Sequence, residues 1–377
     1  MSLLGLYLHV PFCSAICNYC NFNRGLFDAA LKVRYVDALA RDIATAGGER
    51  PRPAADTIYF GGGTPSLLEP EEIARLITAC REAFDVEATS EITLEANPET
   101  VTTDRLTAFR AAGVNRLSFG VQSFRDEELK RLSRLHGAVR ARDAYREARQ
   151  AGFDNISLDL MMWLPEQRVD QWLVSIDAAI DLGPEHLSLY LLEVYPNAPL
   201  KEDMARAQWS QAPDEDAAAM YLEAMARLDA AGYAQYEISN VARPGRRSRH
   251  NLKYWTDGEW LGFGCGAHST RSGARWKNVS GTDEYVARVD AGQSPAVDVR
   301  QLPAAERLGD ALFTGLRLSD GVDEAAIAGR YGVDVWQRYG PDLELFLENG
   351  VLTRQDGRIS LTRQGMLVAH DVMQVFV

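Results

Sequence analysis

The 377-residue chain is short of three things, and each shortage closes off a class of protein. It has only five cysteines, an odd number, and three of them fall within residues 13 to 20. A disulfide framework needs paired, dispersed cysteines, so this usage points to a reducing compartment and away from secretion. No apolar run approaches the roughly 18 to 20 residues that span a bilayer. The amino-terminal MSLLGLYLHVPF has no basic flank and carries His9 within its apolar stretch, unlike an export signal. We therefore expect a soluble, cytoplasmic protein with no membrane span. Basic residues are also scarce: 40 Lys and Arg face 53 Asp and Glu, for a net charge of -13. Phosphate-backbone binding depends on neutralising many phosphates, so nucleic acid is not an expected partner.

What is present is a globular balance, 46% hydrophobic and 25% charged, with length enough for a large domain and a smaller one. Over the first 240 residues, β-rich runs (LYLHV, TIYFG, EITLEA, RLSFGV, NISLDLMM, HLSLYLLE) alternate with amphipathic stretches such as EEIARLITACREAF. Strands joined through helices pair in parallel, and near-continuous apolar character suggests that both faces are covered. The pattern predicts an α/β fold with a partial (β/α) barrel of about six βα units over residues 1–240. Each run ends in polar or glycine-rich residues: the cysteine loop, GGGTP, Glu95, Gln122, Asp159 and Glu193. In a parallel barrel these carboxyl ends meet on one face, where active sites are built. Glu95 and Asp159 sit in apolar runs where an unpaired charge is costly, which strengthens the reading of a shared site.

Beyond residue 240 the pattern changes. ARPGRRSRHNLKYW is basic and turn-rich and GFGCGAHS is glycine-rich, so residues 241–300 are expected to cross the barrel mouth as a connecting segment. Residues 301–377 read as helices ending in VLTRQDGRISLT, where Asp-Gly between alternating runs signals a β-hairpin. That makes a small, mainly helical, winged-helix-like domain ending in a hairpin. It holds 7 Arg and no Lys against 11 Asp and Glu, which argues against DNA and for a lid or docking piece.

The stretch CSAICNYC places Cys13, Cys17 and Cys20 in eight residues. Thiolates are soft ligands for zinc, copper(I) and iron-sulfur clusters. Closed tetrahedral zinc wants four ligands, and Phe22 stands where a further cysteine would continue the run. A redox reading of Cys17 and Cys20 leaves Cys13 unused and wants a helix where NFNRGLFD reads as loop. Three thiolates on a cluster of four irons leave one iron open to chelate a small cofactor. Spacing alone leaves cluster and zinc both open.

CxxxCxxC followed by GGGTP, LEANP and GVQSF resembles the radical S-adenosylmethionine (SAM) superfamily. YLHVPFC, YFGGGTPSLL, AGVNRLSFGVQSF and RHNLKYW extend that similarity over nearly the whole chain, most closely to the HemW family of heme chaperones. The resemblance implies that Cys13, Cys17 and Cys20 ligate a 4Fe-4S cluster whose open iron takes SAM. It further implies that Tyr7 and Tyr19 flank that site and that Gly62, Gly63 and Thr64 hold the methionine end. Glu95, Gln122, Arg134 and Asp159 would complete the pocket. In the chemistry implied, the cluster donates an electron to the sulfonium, while the protein orients the cofactor and excludes water.

Two functions resemble this pattern. One is a heme carrier serving heme-accepting proteins, some of them expected at a membrane; the other is an enzyme acting on a tetrapyrrole, such as a coproporphyrinogen III dehydrogenase or a methyl-transferring relative. The dehydrogenases carry a further cysteine where this chain has Phe22, so the carrier pattern is the better match. An HNxxYW pattern at residues 250 to 255 resembles the carriers' heme motif, implying heme contact by His250, Asn251, Tyr254 and Trp255, with His250 as an axial ligand. Arg243, Arg246, Arg247 and Arg249 precede it, and some of them are expected to hold heme propionates. Met162 and Trp163 replace a smaller pair ending in Gly in similar proteins and are expected to crowd the mouth. Cys80 reads as a small apolar residue, and Cys265 as a residue near the heme segment.

Overall fold

The computed structural model describes residues 3–48 and 51–377, so Met1 and Ser2 of the apolar amino-terminal run lie outside it. The six expected strands are β1 (Leu4–Val10), β2 (Ala54–Gly62), β3 (Asp85–Ala96), β4 (Arg116–Gln122), β5 (Ile156–Met162) and β6 (His186–Leu191). They pair in parallel in chain order. Helices α1 (Ala29–Ala46), α2 (Pro70–Ala83), α3 (Thr103–Ala111), α4 (Ala138–Gln150) and α5 (Val169–Leu182) connect them.

Local chemistry fixes where the helices begin. In α2, Pro70 opens the helix, Glu71 and Glu72 occupy the first turn and Arg81 the last, each suited to the helix dipole. In α1, the Asp28 carboxylate accepts the Leu31 N–H at 2.9 Å, while Tyr35, Val36, Leu39 and Ile43 form its buried stripe. Asp28→Ala is expected to lower unfolding stability by about 1 kcal/mol in urea titrations, because one amide at the helix start loses its partner. An unchanged midpoint would mean that another group caps α1.

The strands are less uniformly apolar than their sequences imply. Leu6, Leu8, Ile58, Phe60, Leu117 and Phe119 are fully or almost fully buried beneath the helices. Alternate positions carry Thr57, Glu91, Thr93, Glu95, Arg116 and Ser118, which lie on the other face and are mostly buried. The barrel is therefore apolar outside and polar inside, an interior built to hold a polar ligand.

Residues 241–300 do not cross the mouth. After β7 (Ala234–Glu237) and β8 (Asn240–Ala242), which extend the sheet antiparallel beyond β6, the chain returns to its other edge. There β9 (Trp260–Phe263) pairs in parallel with β1, and β10 (His268–Arg271), β11 (Ala274–Asn278) and β12 (Ala296–Gln301) continue antiparallel. GFGC, read as a glycine-rich crossing, is the end of a seventh parallel strand. Gly264 explains the composition: it takes φ +95, and a Cβ there would collide with the Tyr35 hydroxyl.

The basic stretch before β9 forms the short helix α6 (Arg249–Trp255), packed against the amino ends of the strands. Backbone N–H groups of Arg249 and His250 donate to Glu91, each at 3.1 Å. Lys253 pairs with Asp56 at 2.5 Å and donates to the Leu3 carbonyl at 2.8 Å.

The C-terminal region contains helices Ala304–Gly315, Glu324–Tyr331 and Val335–Glu348. The expected hairpin, Leu352–Gln355 with Arg358–Leu361, gains a third strand from Val322–Asp323. The chain continues past it through Ala369–Met373 to Phe376, whose backbone lies against Gly309. This region docks at the barrel's base: Arg317 pairs with buried Glu237 at 3.0 Å and lies over the Trp255 ring. None of its residues lines the mouth cavities. Among the described residues, no helix is long and apolar enough to cross a membrane.

Candidate functional site at the barrel mouth

The carboxyl ends of β1 to β6 surround a cavity of about 360 Å³. Its wall includes Cys13, Cys17 and Cys20, the turn Gly62-Gly63-Thr64, and Tyr19, Glu95, Gln122, Arg134 and Asp159. Every residue expected at the cluster and SAM site borders this cavity except Tyr7, which lines a neighbouring one.

The cysteine loop leaves β1 through Phe12–Cys13 and returns at Gly25–Leu26, which pair in parallel and bring its ends together. Arg24 ties the loop inward by donating to the carbonyls of Cys20 and, at 3.2 Å, Phe22. Thr64 donates to the Cys13 sulfur at 3.6 Å, and Arg134 to that of Cys17 at 3.5 Å. Burial pushes the Cys13 and Cys20 thiols up from their ordinary range. Glycine is required at the turn: Gly62 takes φ +118, and a Cβ on Gly63 would lie 3.0 Å from the Cys13 sulfur.

Two acids give the cavity its electrostatic character. Glu95 accepts from the Tyr59 hydroxyl at 2.8 Å and the Gly62 N–H at 3.2 Å. Burial, with repulsion from Asp159 as a lesser contribution, pushes it up to about 7. Asp159 accepts from Ser118 at 3.2 Å and is raised by burial as well. Gln122 holds φ +69, an uncommon conformation for a side chain of this type, and its buried Oε1 has no hydrogen-bond partner among the described residues. The Arg134 Nε is likewise unpartnered there. Three thiols, two buried acids and two orphaned polar atoms in one cavity fit a sulfur-ligated cluster and a cationic cofactor. Among the described residues, no three His, Cys, Asp or Glu side chains gather as a single metal ion would require.

Asn97 and Arg24 were not singled out in the sequence, although both border the cavity. Asn97 donates to Thr64 at 3.1 Å and accepts from Arg134 at 2.8 Å, joining the glycine turn to the guanidinium. Its position two residues after Glu95 in LEANP was the available signal.

The expected heme residues do not all border one cavity. His250 is 1% exposed; its Nδ1 lies 2.8 Å from Thr57 Oγ1 and its Nε2 2.9 Å from the Tyr254 hydroxyl. Both ring nitrogens are engaged, and burial pushes the imidazole down to about 3. Trp255 packs with Arg317, and Asn251 borders neither cavity. Only Tyr254 reaches a cavity. The four arginines also lie elsewhere. Arg246, Arg247 and Arg249 pair with Asp154, Asp320 and Asp56, and Arg243 stacks on Tyr233. Trp163 takes φ +61, a conformation suited to the glycine of similar proteins, and donates to the Ala212 carbonyl at 2.8 Å; neither it nor Met162 crowds the mouth. Cys80 and Cys265 are fully buried, and Cys265 packs at Tyr35 and Thr282.

A seven-strand parallel half-barrel with three thiols and a glycine turn at its mouth defines a radical SAM protein. A model of the Radical SAM superfamily matches residues 7–179, and one of the HemN C-terminal domain matches residues 302–368. The chain is 35% identical to the heme chaperone HemW of Bacillus subtilis, over 98% of each chain. It is 33% identical to that of Escherichia coli, over 99% of this chain and 98% of the relative. The chain belongs to the HemW family. Its fold is also that of coproporphyrinogen III oxidase (HemN) from Escherichia coli, with a TM-score of 0.86 at 24% identity over 100% of this chain and 90% of that one.

Proposed function

We propose that this protein is a cytoplasmic heme chaperone that carries a 4Fe-4S cluster and SAM and passes heme to acceptor proteins, some of them at a membrane. Family membership supports the cargo, and the position of Phe22 carries the choice between carrier and enzyme. Phe22 is 66% exposed and borders both the cofactor cavity and its neighbour. An apolar ring thus stands between the two spaces, where the dehydrogenase pattern would put a thiol.

In this reading Cys13, Cys17 and Cys20 hold the cluster, and the Gly62-Gly63-Thr64 turn receives the SAM backbone. Glu95 and Asp159 offset the ligand's positive charge, while Gln122 and Arg134 use their unpartnered atoms on its polar groups. Tyr7 serves the adjoining cavity. When bound, the cluster supplies a reducing electron to the sulfonium. We divide the chain functionally into a barrel carrying the cofactors, a sheet extension with α6 from residue 241, and a docking region from about 301.

Anaerobic heme titration of the cluster-reconstituted protein is expected to give a saturable Soret band near one heme per chain. Absence of saturable binding, with turnover of coproporphyrinogen III, would replace the carrier reading by the enzymatic one.

A further inference from the structure

The sulfurs of Cys13 and Cys17 each accept a hydrogen bond from a side chain, Thr64 for the first and Arg134 for the second. One residue joins these two donors: Asn97, which directly follows β3 and borders the same cavity.

The direction of every bond in this set is fixed. A guanidinium only donates, so the Asn97 oxygen faces Arg134 Nη2 at 2.8 Å and the Asn97 amide N–H faces Thr64 Oγ1 at 3.1 Å. The Thr64 oxygen is thereby an acceptor, and its own proton is left to point at the Cys13 sulfur, 3.6 Å away. Arg134 Nη2 also donates to the Gly120 carbonyl at 2.6 Å, while Nη1 donates to the Cys17 sulfur at 3.5 Å.

The backbone seats Asn97 for this position. Pro98 after it favours the extended conformation that it adopts, φ -95 and ψ 141. Its carbonyl accepts the Thr100 N–H at 3.0 Å and the Thr100 hydroxyl at 2.8 Å. Across from it, a Cβ on Gly120 would come 3.3 Å from the Asn97 oxygen and 3.6 Å from Arg134 Nη2. Glycine leaves room for amide and guanidinium to meet.

Resting on the reading that Cys13, Cys17 and Cys20 hold a 4Fe-4S cluster, we propose that Asn97 is a positioning residue that raises the cluster's reduction potential through a polarised relay from Arg134 to Asn97 to Thr64 to Cys13. The thiols stand for the thiolates that would ligate iron. Reduction adds negative charge to a cluster and its sulfurs, and a donor aimed at a ligating sulfur stabilises that charge. Hydrogen bonds that run in one direction strengthen one another, so the charge of Arg134 reaches the Thr64 hydroxyl through the amide.

The test is anaerobic potentiometry of the reconstituted full chain without SAM, following the electron paramagnetic resonance of the reduced cluster. Thr64→Val removes the hydroxyl and should shift the midpoint to more negative potential, while Thr64→Ser keeps the hydroxyl and should match the wild type. Asn97→Asp still accepts from Arg134 but also accepts the Thr64 proton, turning the hydroxyl away from the sulfur, so its midpoint should fall as well. Added charge acting alone would lower the potential equally with or without the hydroxyl. The relay predicts instead that the Thr64→Val, Asn97→Asp double variant falls by less than the sum of the single shifts. Thr64→Ala or Asn97→Leu takes the place of a variant that loads no cluster. Additive shifts, or a wild-type midpoint in Thr64→Val, would overturn the relay and leave the cluster assignment standing. A wild-type chain that takes up no iron and sulfide would remove both.

Discussion

Replacing Cys13, Cys17 and Cys20 together by alanine strips iron and acid-labile sulfide from the reconstituted protein, abolishes SAM binding and leaves the fold intact. The expectation follows from where the thiols sit. All three border the mouth cavity and are only partly buried, and none belongs to the hydrophobic core. Their protein contacts are weak: a hydroxyl at 3.6 Å from Cys13 and a guanidinium at 3.5 Å from Cys17. Alanine at such surface-loop positions changes unfolding stability by about 0.5 kcal/mol or less. The cluster has no substitute ligands, because Cys80 and Cys265 are fully buried and border neither cavity. SAM binding is lost with it, since the open iron is its anchor. Circular dichroism should match the wild type while iron and sulfide assays fall to background. Stoichiometric iron and sulfide in the triple variant would refute the assignment. Replacing Cys80 and Cys265 instead should leave the cluster in place.

The parts of this molecule that were legible in the sequence are those set by local chemistry. Six βα units show in the alternation of short and long periodic runs, and the mouth shows because polar residues recur at the end of each run. The misread parts depend on contacts between distant segments. WLGFG is too short and glycine-rich to declare a strand, yet it pairs with Gly5 to Leu8 because Gly262 and Gly264 admit neighbouring backbone and the Tyr35 hydroxyl. RHNLKYW carries the residue types of a heme site, but its orientation is decided by Glu91, 159 positions from His250, which accepts the helix's first N–H groups and turns the imidazole into the barrel base. The arginines before it looked free because their partners, Asp154, Asp320 and Asp56, are far away in sequence.

Glu95→Gln should make the SAM-free protein more stable at pH 8, change it much less at pH 5, and weaken SAM binding. Burial holds the Glu95 carboxyl at about 7 in the folded chain, against an ordinary 4.5. Below about pH 4.5 the acid is protonated whether the chain is folded or not, and it carries no penalty. Between 4.5 and 7 the folded state binds more protons than the unfolded state, so stability is lost as pH rises, and the loss is complete above 7. Its upper size is about 3 kcal/mol, from 1.36 kcal/mol per pKa unit. Glutamine never ionises and keeps the local contacts: its oxygen can accept the Gly62 N–H while its amide donates to the Tyr59 hydroxyl, which rotates to receive it. The advantage of the variant over wild type in urea unfolding should therefore grow from under about 1 kcal/mol at pH 5 to about 3 kcal/mol at pH 8. Binding should move the opposite way. The carboxylate that destabilises the empty cavity faces a ligand bearing a sulfonium and an ammonium, so its neutral replacement should bind SAM about 10- to 100-fold more weakly at pH 8. At pH 5 the wild-type acid is itself protonated, and the two affinities should converge. A stability difference that stays flat from pH 5 to pH 8 would mean that Glu95 is ionised throughout, held so by a charge in the cavity that these contacts do not supply.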